Sequence, residues 1–128
     1  MALVNSGRNF IAAAIMNSGP PTFFTSANAH LGVGDSATAY AATQTDLVAA
    51  TNKFRRPMEA TYPQLATNVI TFRSLFATGE ANYAWAEWGV FNAVSANTML
   101  SRKVEALGTK TSAQSWQLTA DITVAVGT

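Results

Sequence analysis

The clearest periodicity lies near the end of the chain. Trp116, Leu118, Ala120, Ile122, Val124 and Val126 alternate with Ser115, Gln117, Thr119, Asp121 and Thr123. Successive side chains of a strand point to opposite faces, so this period of two predicts a strand with one face buried and one solvated. Three earlier stretches carry the same signal. Asn68–Phe76 sets Ile70, Phe72 and Phe76 against Thr71 and Arg73, Tyr83–Phe91 is rich in aromatic residues, and Met99–Leu107 sets Leu100, Val104 and Ala106 against Ser101, Lys103 and Glu105. Turns at Gly79, Asn92–Asn97 and Gly108 separate them. The pattern predicts an antiparallel meander in which Tyr83–Phe91 is flanked by Asn68–Phe76 and Met99–Leu107.

The first half is less regular. Asn5 or Ser6 is placed to cap a short helix over Gly7–Met16, with Phe10, Ile11, Ala14 and Ile15 on one face. Pro20 and Pro21 lack backbone donors and stop it. Phe23 and Phe24 follow in a loop, placed to pack under the helix or against a partner. Ala29–Val33 reads as a short strand ending at Gly32, Gly34 and Asp35. Thr43–Thr51 reads as one or two helical turns, capped by Thr43 or Thr45, with Leu47 and Val48 inward. Lys53–Tyr62 is strand-like, and Pro57 within it marks an edge strand or bulge. The whole is mainly β: a single domain over residues 1–128, an antiparallel β-sandwich or flattened barrel with a short N-terminal helix.

Composition narrows the setting. Charged residues make up 12% of the 128, against about 25% in ordinary soluble domains. A surface this poor in charge is weakly protected from association, which predicts that other subunits cover part of it. The net charge of +1 argues against broad electrostatic binding to nucleic acid or anionic lipid. There is no cysteine, hence no disulfide and no thiolate metal site. No apolar run is long enough for a membrane-spanning helix. Phe10–Met16 is short for a signal peptide and is followed by Asn17-Ser18-Gly19-Pro20 rather than a cleavage site, so an intracellular origin is expected.

Candidate chemistry is sparse, and the expectation is of no catalytic residues, no metal and no cofactor. Gly32-Val33-Gly34-Asp35-Ser36-Ala37 matches G-x-G-x-x-A, but no strong helix follows to hold a pyrophosphate. It reads instead as a strand ending in a Gly/Asp turn. His30 is the only histidine and lacks a metal-ligand set beyond carboxylates. Glu80 and Glu87 fall at opposite parity along the chain, unlike an acid/base pair on one strand face. Lys53, Arg55 and Arg56 are the only basic cluster. On a strand Lys53 and Arg55 share a face and Arg56 opposes them, which suits a solvated edge or a salt bridge to a neighbouring subunit. With Phe23 and Phe24 they form the candidate subunit-interface set.

Glu87 stands apart as an acidic residue among aromatic neighbours. Strict alternation puts it on one face with Tyr83, Trp85, Gly89 and Phe91, and puts Trp88 and Val90 on the other. A carboxylate buried there needs a partner, because an unpaired charge in apolar surroundings is very costly. Arg73 and Arg102 are the candidates, which makes Glu87 a structural carboxylate.

The order of motifs resembles small structural proteins of tailed bacteriophages. "VNSGRNFIAAAI", "HLGVGDS", "ITFRSLFATGEANYAWAEWGVFNA" and "TMLSRKVEALGTK" are similar to the N-terminal regions of phage tail-collar fibre proteins, on whose pattern fall Asn5, Gly7, Gly34, Asp35, Glu80, Ala81, Glu87, Gly89, Phe91, Arg102 and Lys110. Trp88 and Val90 depart from smaller or leucine-type positions, and the sequence stops at Thr128 where a fibre continues. In size and β-rich build it also resembles the cement proteins that decorate phage heads. The resemblance implies a non-enzymatic virion protein on the capsid surface or tail, made in the bacterial cytoplasm. Its implied partners are the major capsid protein, other virion proteins and further copies of itself, a trimer by analogy.

Overall fold

The computed structural model describes residues 2–19 and 21–125. Two antiparallel sheets pack face to face, without closing into a barrel. Among the described residues helix α1 (Asn5–Met16) precedes seven strands: β1 (His30–Gly34), β2 (Lys53–Pro57), β3 (Gln64–Ala66), β4 (Val69–Phe76), β5 (Ala84–Phe91), β6 (Met99–Thr109) and β7 (Trp116–Thr123). The first sheet has the order β2-β1-β5-β6 and the second β3-β4-β7.

The strands do not form the predicted meander. β5 is central in its sheet, but its neighbours are β1 and β6, while β4 pairs with β7 in the opposite sheet. The pairing of β1 with β5 joins residues more than fifty positions apart, and no local turn signal announces it. Gly108 is not a turn either: it lies inside β6, at φ +108°, opposite Trp85.

The inter-sheet core gathers Leu31 and Val33 from β1, Phe72 and Phe76 from β4, Trp85, Trp88 and Val90 from β5, and Leu118, Ala120 and Ile122 from β7. The last three are the inward set of the predicted alternation. The strand ends at Thr123, and Val126 lies outside the described residues. Phe76, Trp85 and Trp116 stack edge to face, with centroids 4.9 and 5.0 Å apart, the arrangement the ring quadrupole favours. Trp85 therefore sits with Trp88, against the expected alternation. The β5–β6 register shifts between Trp85 and Glu87, and this irregularity resets which face each residue meets.

Helix α1 begins at Asn5 with Val4 as its cap residue and no side-chain cap. Ser6 is occupied elsewhere, donating to the Met99 carbonyl at 2.8 Å. The helix ends on Asn17 in the left-handed conformation, where the amides of Asn17 and Ser18 return to Ala14 and Ala13, the ordinary way of satisfying last-turn carbonyls. The prolines expected to stop it come later, and Pro20 lies outside the described residues. Phe24 packs between Phe10 and Phe72, at 5.0 and 6.4 Å; Phe23 meets Phe10 edge to face at 6.2 Å and stays half-exposed.

Candidate functional site

The long connection from β1 to β2, residues 35–52, crosses the outer face of the first sheet as a strap without helix or strand. Its ends meet: the Asp35 amide donates to the Asn52 carbonyl, and the Asn52 side chain donates to Asp35 at 2.8 Å. Connections this long without regular structure are uncommon in compact domains and are commonly functional.

Glu87 lies beneath this strap, with no exposed surface. One carboxylate oxygen accepts from the Val48 amide and from Arg102 Nε, each at 2.8 Å; the other accepts from the Ala49 amide at 2.8 Å. Arg102 is equally buried. Its remaining nitrogens donate to the Thr38 carbonyl and the Gln44 side chain, both at 3.0 Å. The ion pair is thus a clamp, in which each partner uses its other hydrogen-bonding groups to hold a different part of the strap. Of the two arginines considered, Arg102 is the partner because β6 flanks β5. Arg73, on β4, lies over the Tyr62 ring instead.

The clamp also corrects the expectation of a helical turn at Thr43–Thr51. The amides of Val48 and Ala49, which a helix would direct to carbonyls four residues back, are spent on the carboxylate. Leu47 points inward as predicted, joining Val4, Phe91 and Met99 in a second small core, while Val48 is exposed.

Glycines make room for this arrangement. A methyl at Gly34 would lie 2.4 Å from Glu87 Oε2, and one at Gly32 would lie 2.7 Å from the Phe91 ring. Gly32 pairs directly with Gly89. The G-x-G sequence is the floor under the Glu87 and Phe91 side chains, and Ser36–Ala42 forms no helix after it. Two glycines on one face of β1, beneath an aromatic ring and a carboxylate, are the signal by which the site could have been found.

The other candidates are engaged within the chain. Lys53 and Arg55 share Asp46, both at 3.1 Å. Arg55 also donates to the carbonyls of Ala93 and Ala96 and lies 3.6 Å over the Phe91 ring. Arg56, on the opposite face of edge strand β2, pairs with Glu80 at 2.9 Å. Glu80 also closes its own turn by accepting from the Ala77 amide, so it and Glu87 serve separate places. His30 is buried and bonded to the Asn28 carbonyl. Lys110 is buried and donates to Asn82 at 2.7 Å. The Tyr83 hydroxyl donates to the Val33 carbonyl at 2.9 Å; burial, with the charges of Asp35 and Glu87, pushes its pKa up.

Burial acts to raise the Asp46 carboxyl, but the hydrogen bonds from Lys53, the Leu47 amide and Arg55, with the Arg55 charge, outweigh it and hold the group below its ordinary 3.8. A carboxylate depressed in the folded state stabilises fully above its unfolded value and loses that contribution as pH falls through the folded one. Asp46→Asn should therefore lower stability by less than about 1 kcal/mol at neutral pH, the group being partly exposed. The gap between the two proteins should narrow only below about pH 4. Denaturant titrations from pH 7 down to pH ~2.5 check this; a gap unchanged over that range would contradict it.

A comparison with models of known protein families finds no match, and a search of curated proteins finds none either.

Proposed function

We propose that this protein is a structural component of a tailed-bacteriophage particle, a decoration or cement protein that binds the outer surface of the head and stabilises it. The observation that carries this reading is the convergence of the residues behind the resemblance. Gly34, Glu87, Gly89 and Arg102 are scattered along the sequence, yet they meet around one clamp, and Gly7 seats helix α1 on the same strand β6 that carries Arg102. Gly34 makes room for the Glu87 carboxylate, Glu87 holds Arg102, and Gly7 and Gly89 each approach the β6 backbone too closely for a methyl group. These are positions on which the resemblance to phage structural proteins rests, and they fix one scaffold. The scarcity of charge supports binding by shape and apolar contact, with the major capsid protein, other virion proteins or further copies as partners.

The motif order itself resembles tail-collar fibres, and this favours a second reading as a tail, collar or baseplate component. A role as a small-molecule or carbohydrate-binding module, with Tyr83, Trp85 or Trp88 stacking on the ligand, has less support, because both tryptophans are buried between the sheets and the Tyr83 hydroxyl is bonded to the Val33 carbonyl.

Purified protein added to undecorated heads should bind at micromolar concentration, in hundreds of copies per particle, and should raise the temperature at which heads rupture. A ligand at about 100 times its Kd stabilises what it binds by ~2.7 kcal/mol. A handful to a few tens of copies per virion would instead support the tail reading. Failure to bind heads at micromolar concentration would end the capsid reading.

A further inference from the structure

Beside α1 the inner face of the β3-β4-β7 sheet is left partly uncovered. Between them runs a cleft of about 430 Å³, lined entirely by apolar residues including Ile11, Ile15, Ile70, Phe72, Ile122 and Val124. Leu65 on β3 stands directly opposite Ile70, which stands opposite Ile122. Directly opposed residues share a face, and adjacent strands lie ~4.8 Å apart. Leu65 is therefore an apolar knob one strand away from an apolar hole. It is 74% exposed; Ile15 and Val124 in the cleft wall are 79% and 64% exposed.

We propose that this face is a self-association surface, in which Leu65 of one copy seats in the cleft of a second and receives the second copy's Leu65 in return. Two observations select another copy as the occupant. Knob and hole lie side by side on one face, the requirement for an isologous contact in which each partner gives what it receives. None of these residues is charged, so like surfaces can meet without repulsion. The area sets the strength. At roughly 100 Å² for a fully exposed large aliphatic side chain, Leu65 with the cleft-wall residues Ile15 and Val124 presents about 220 Å². Two copies bury about twice this, well below the ~1,200 Å² at which stable interfaces begin, so the contact is a weak and reversible one.

From the virion reading this inference takes only that copies associate, and its test needs no phage heads, so either can fail alone. Sedimentation velocity of the purified chain, from low to high micromolar, should show a species larger than the monomer that dissociates on dilution. Leu65→Asp places a charge where the cleft offers no polar partner and should raise the dissociation constant by about a hundredfold or more. At a concentration where both proteins are monomeric, its circular dichroism and thermal midpoint should match the wild type, since Leu65 is exposed there. Ala14→Trp, which fills the cleft from the helix side, should weaken association in the same way. A monomer throughout the concentration range overturns the proposal, as does an oligomer that both substitutions leave intact.

Discussion

Replacing Glu87 with glutamine should destabilise the protein by ~3–5 kcal/mol, the usual cost of leaving one member of a buried ion pair without the other. For a chain of this length that corresponds to a fall of about 10–20 °C in Tm. The geometry explains why a change of one atom should cost so much. Glutamine can keep one oxygen between the Val48 amide and Arg102, but its NH2 group then faces the Ala49 amide, donor against donor. Turning the amide over moves the same conflict to Val48 and Arg102. Either way the buried guanidinium loses its counter-charge and the strap loses an anchor.

A double-mutant cycle separates the pair from its separate bonds to the strap. Glu87→Leu and Arg102→Met should each cost several kcal/mol, and the double variant should cost less than their sum by ~1–3 kcal/mol. It should not return to wild-type stability, because the Val48 and Ala49 amides and the Thr38 carbonyl still lack partners, at ~1–3 kcal/mol for each group left unsatisfied. If Glu87→Gln melts within a degree or so of the wild type, the carboxylate does not hold the strap. Hydrogen exchange gives an independent readout. In Glu87→Gln the Val48 and Ala49 amides should exchange faster than those of the inter-sheet core, because local opening of the strap is the cheaper route.

The clamp was only half legible in the sequence. A lone acidic residue in an apolar run announces that it needs a partner, and the β6 pattern put Arg102 within consideration. What the pattern could not supply was the strap. Thr43–Thr51 has a reasonable cap and inward-facing apolar residues, so it reads as helix. Its amides are claimed instead by a carboxylate about forty positions away, and no local propensity encodes that claim. The same limit hid the partnership of β1 with β5. Period two reports which face of a strand is buried, and it did so for β7, but it says nothing of which strand lies alongside. Even the facing rule broke at Trp85, where an irregularity in pairing resets the alternation that counting assumes.

The glycines mark the opposite case, in which the signal was present but pointed elsewhere. Gly32-Val33-Gly34 resembles a phosphate-binding turn. Glycine serves close approach in both settings, and only the surroundings distinguish a pyrophosphate from the side chains of Phe91 and Glu87. The cleft beside α1 was less legible still. Leu65 lies in a three-residue strand too short to give a period, and the helix pattern marks Ile15 as inward although 79% of it remains exposed.

Gly7→Ala should destabilise the protein by ~2–4 kcal/mol, although alanine is the better helix former by ~1 kcal/mol. Two effects of opposite sign compete, and distance decides between them. A methyl group at Gly7 would lie 2.0 Å from the Leu100 carbonyl oxygen, 2.8 Å from its carbon and 2.9 Å from its Cα. All three are backbone atoms of β6 and have no rotamer into which to retreat, so α1 itself must move. That movement strains the bond from the Val4 amide to the Leu100 carbonyl and the bond from Ser6 to Met99, each worth ~1 kcal/mol net. It also lifts the fully buried Val4 from Leu47, Phe91 and Met99, where complete burial contributes ~1.5–3 kcal/mol. Gly79→Ala is the matched control: no atom lies within 4 Å of the added methyl, and a change within about 0.5 kcal/mol is expected. Since α1 carries one wall of the cleft, Gly7→Ala should also weaken self-association while Gly79→Ala leaves it intact. A Gly7→Ala protein more stable than the wild type would mean that the helix does not sit this close to β6, and the cleft it lines would have to be redrawn.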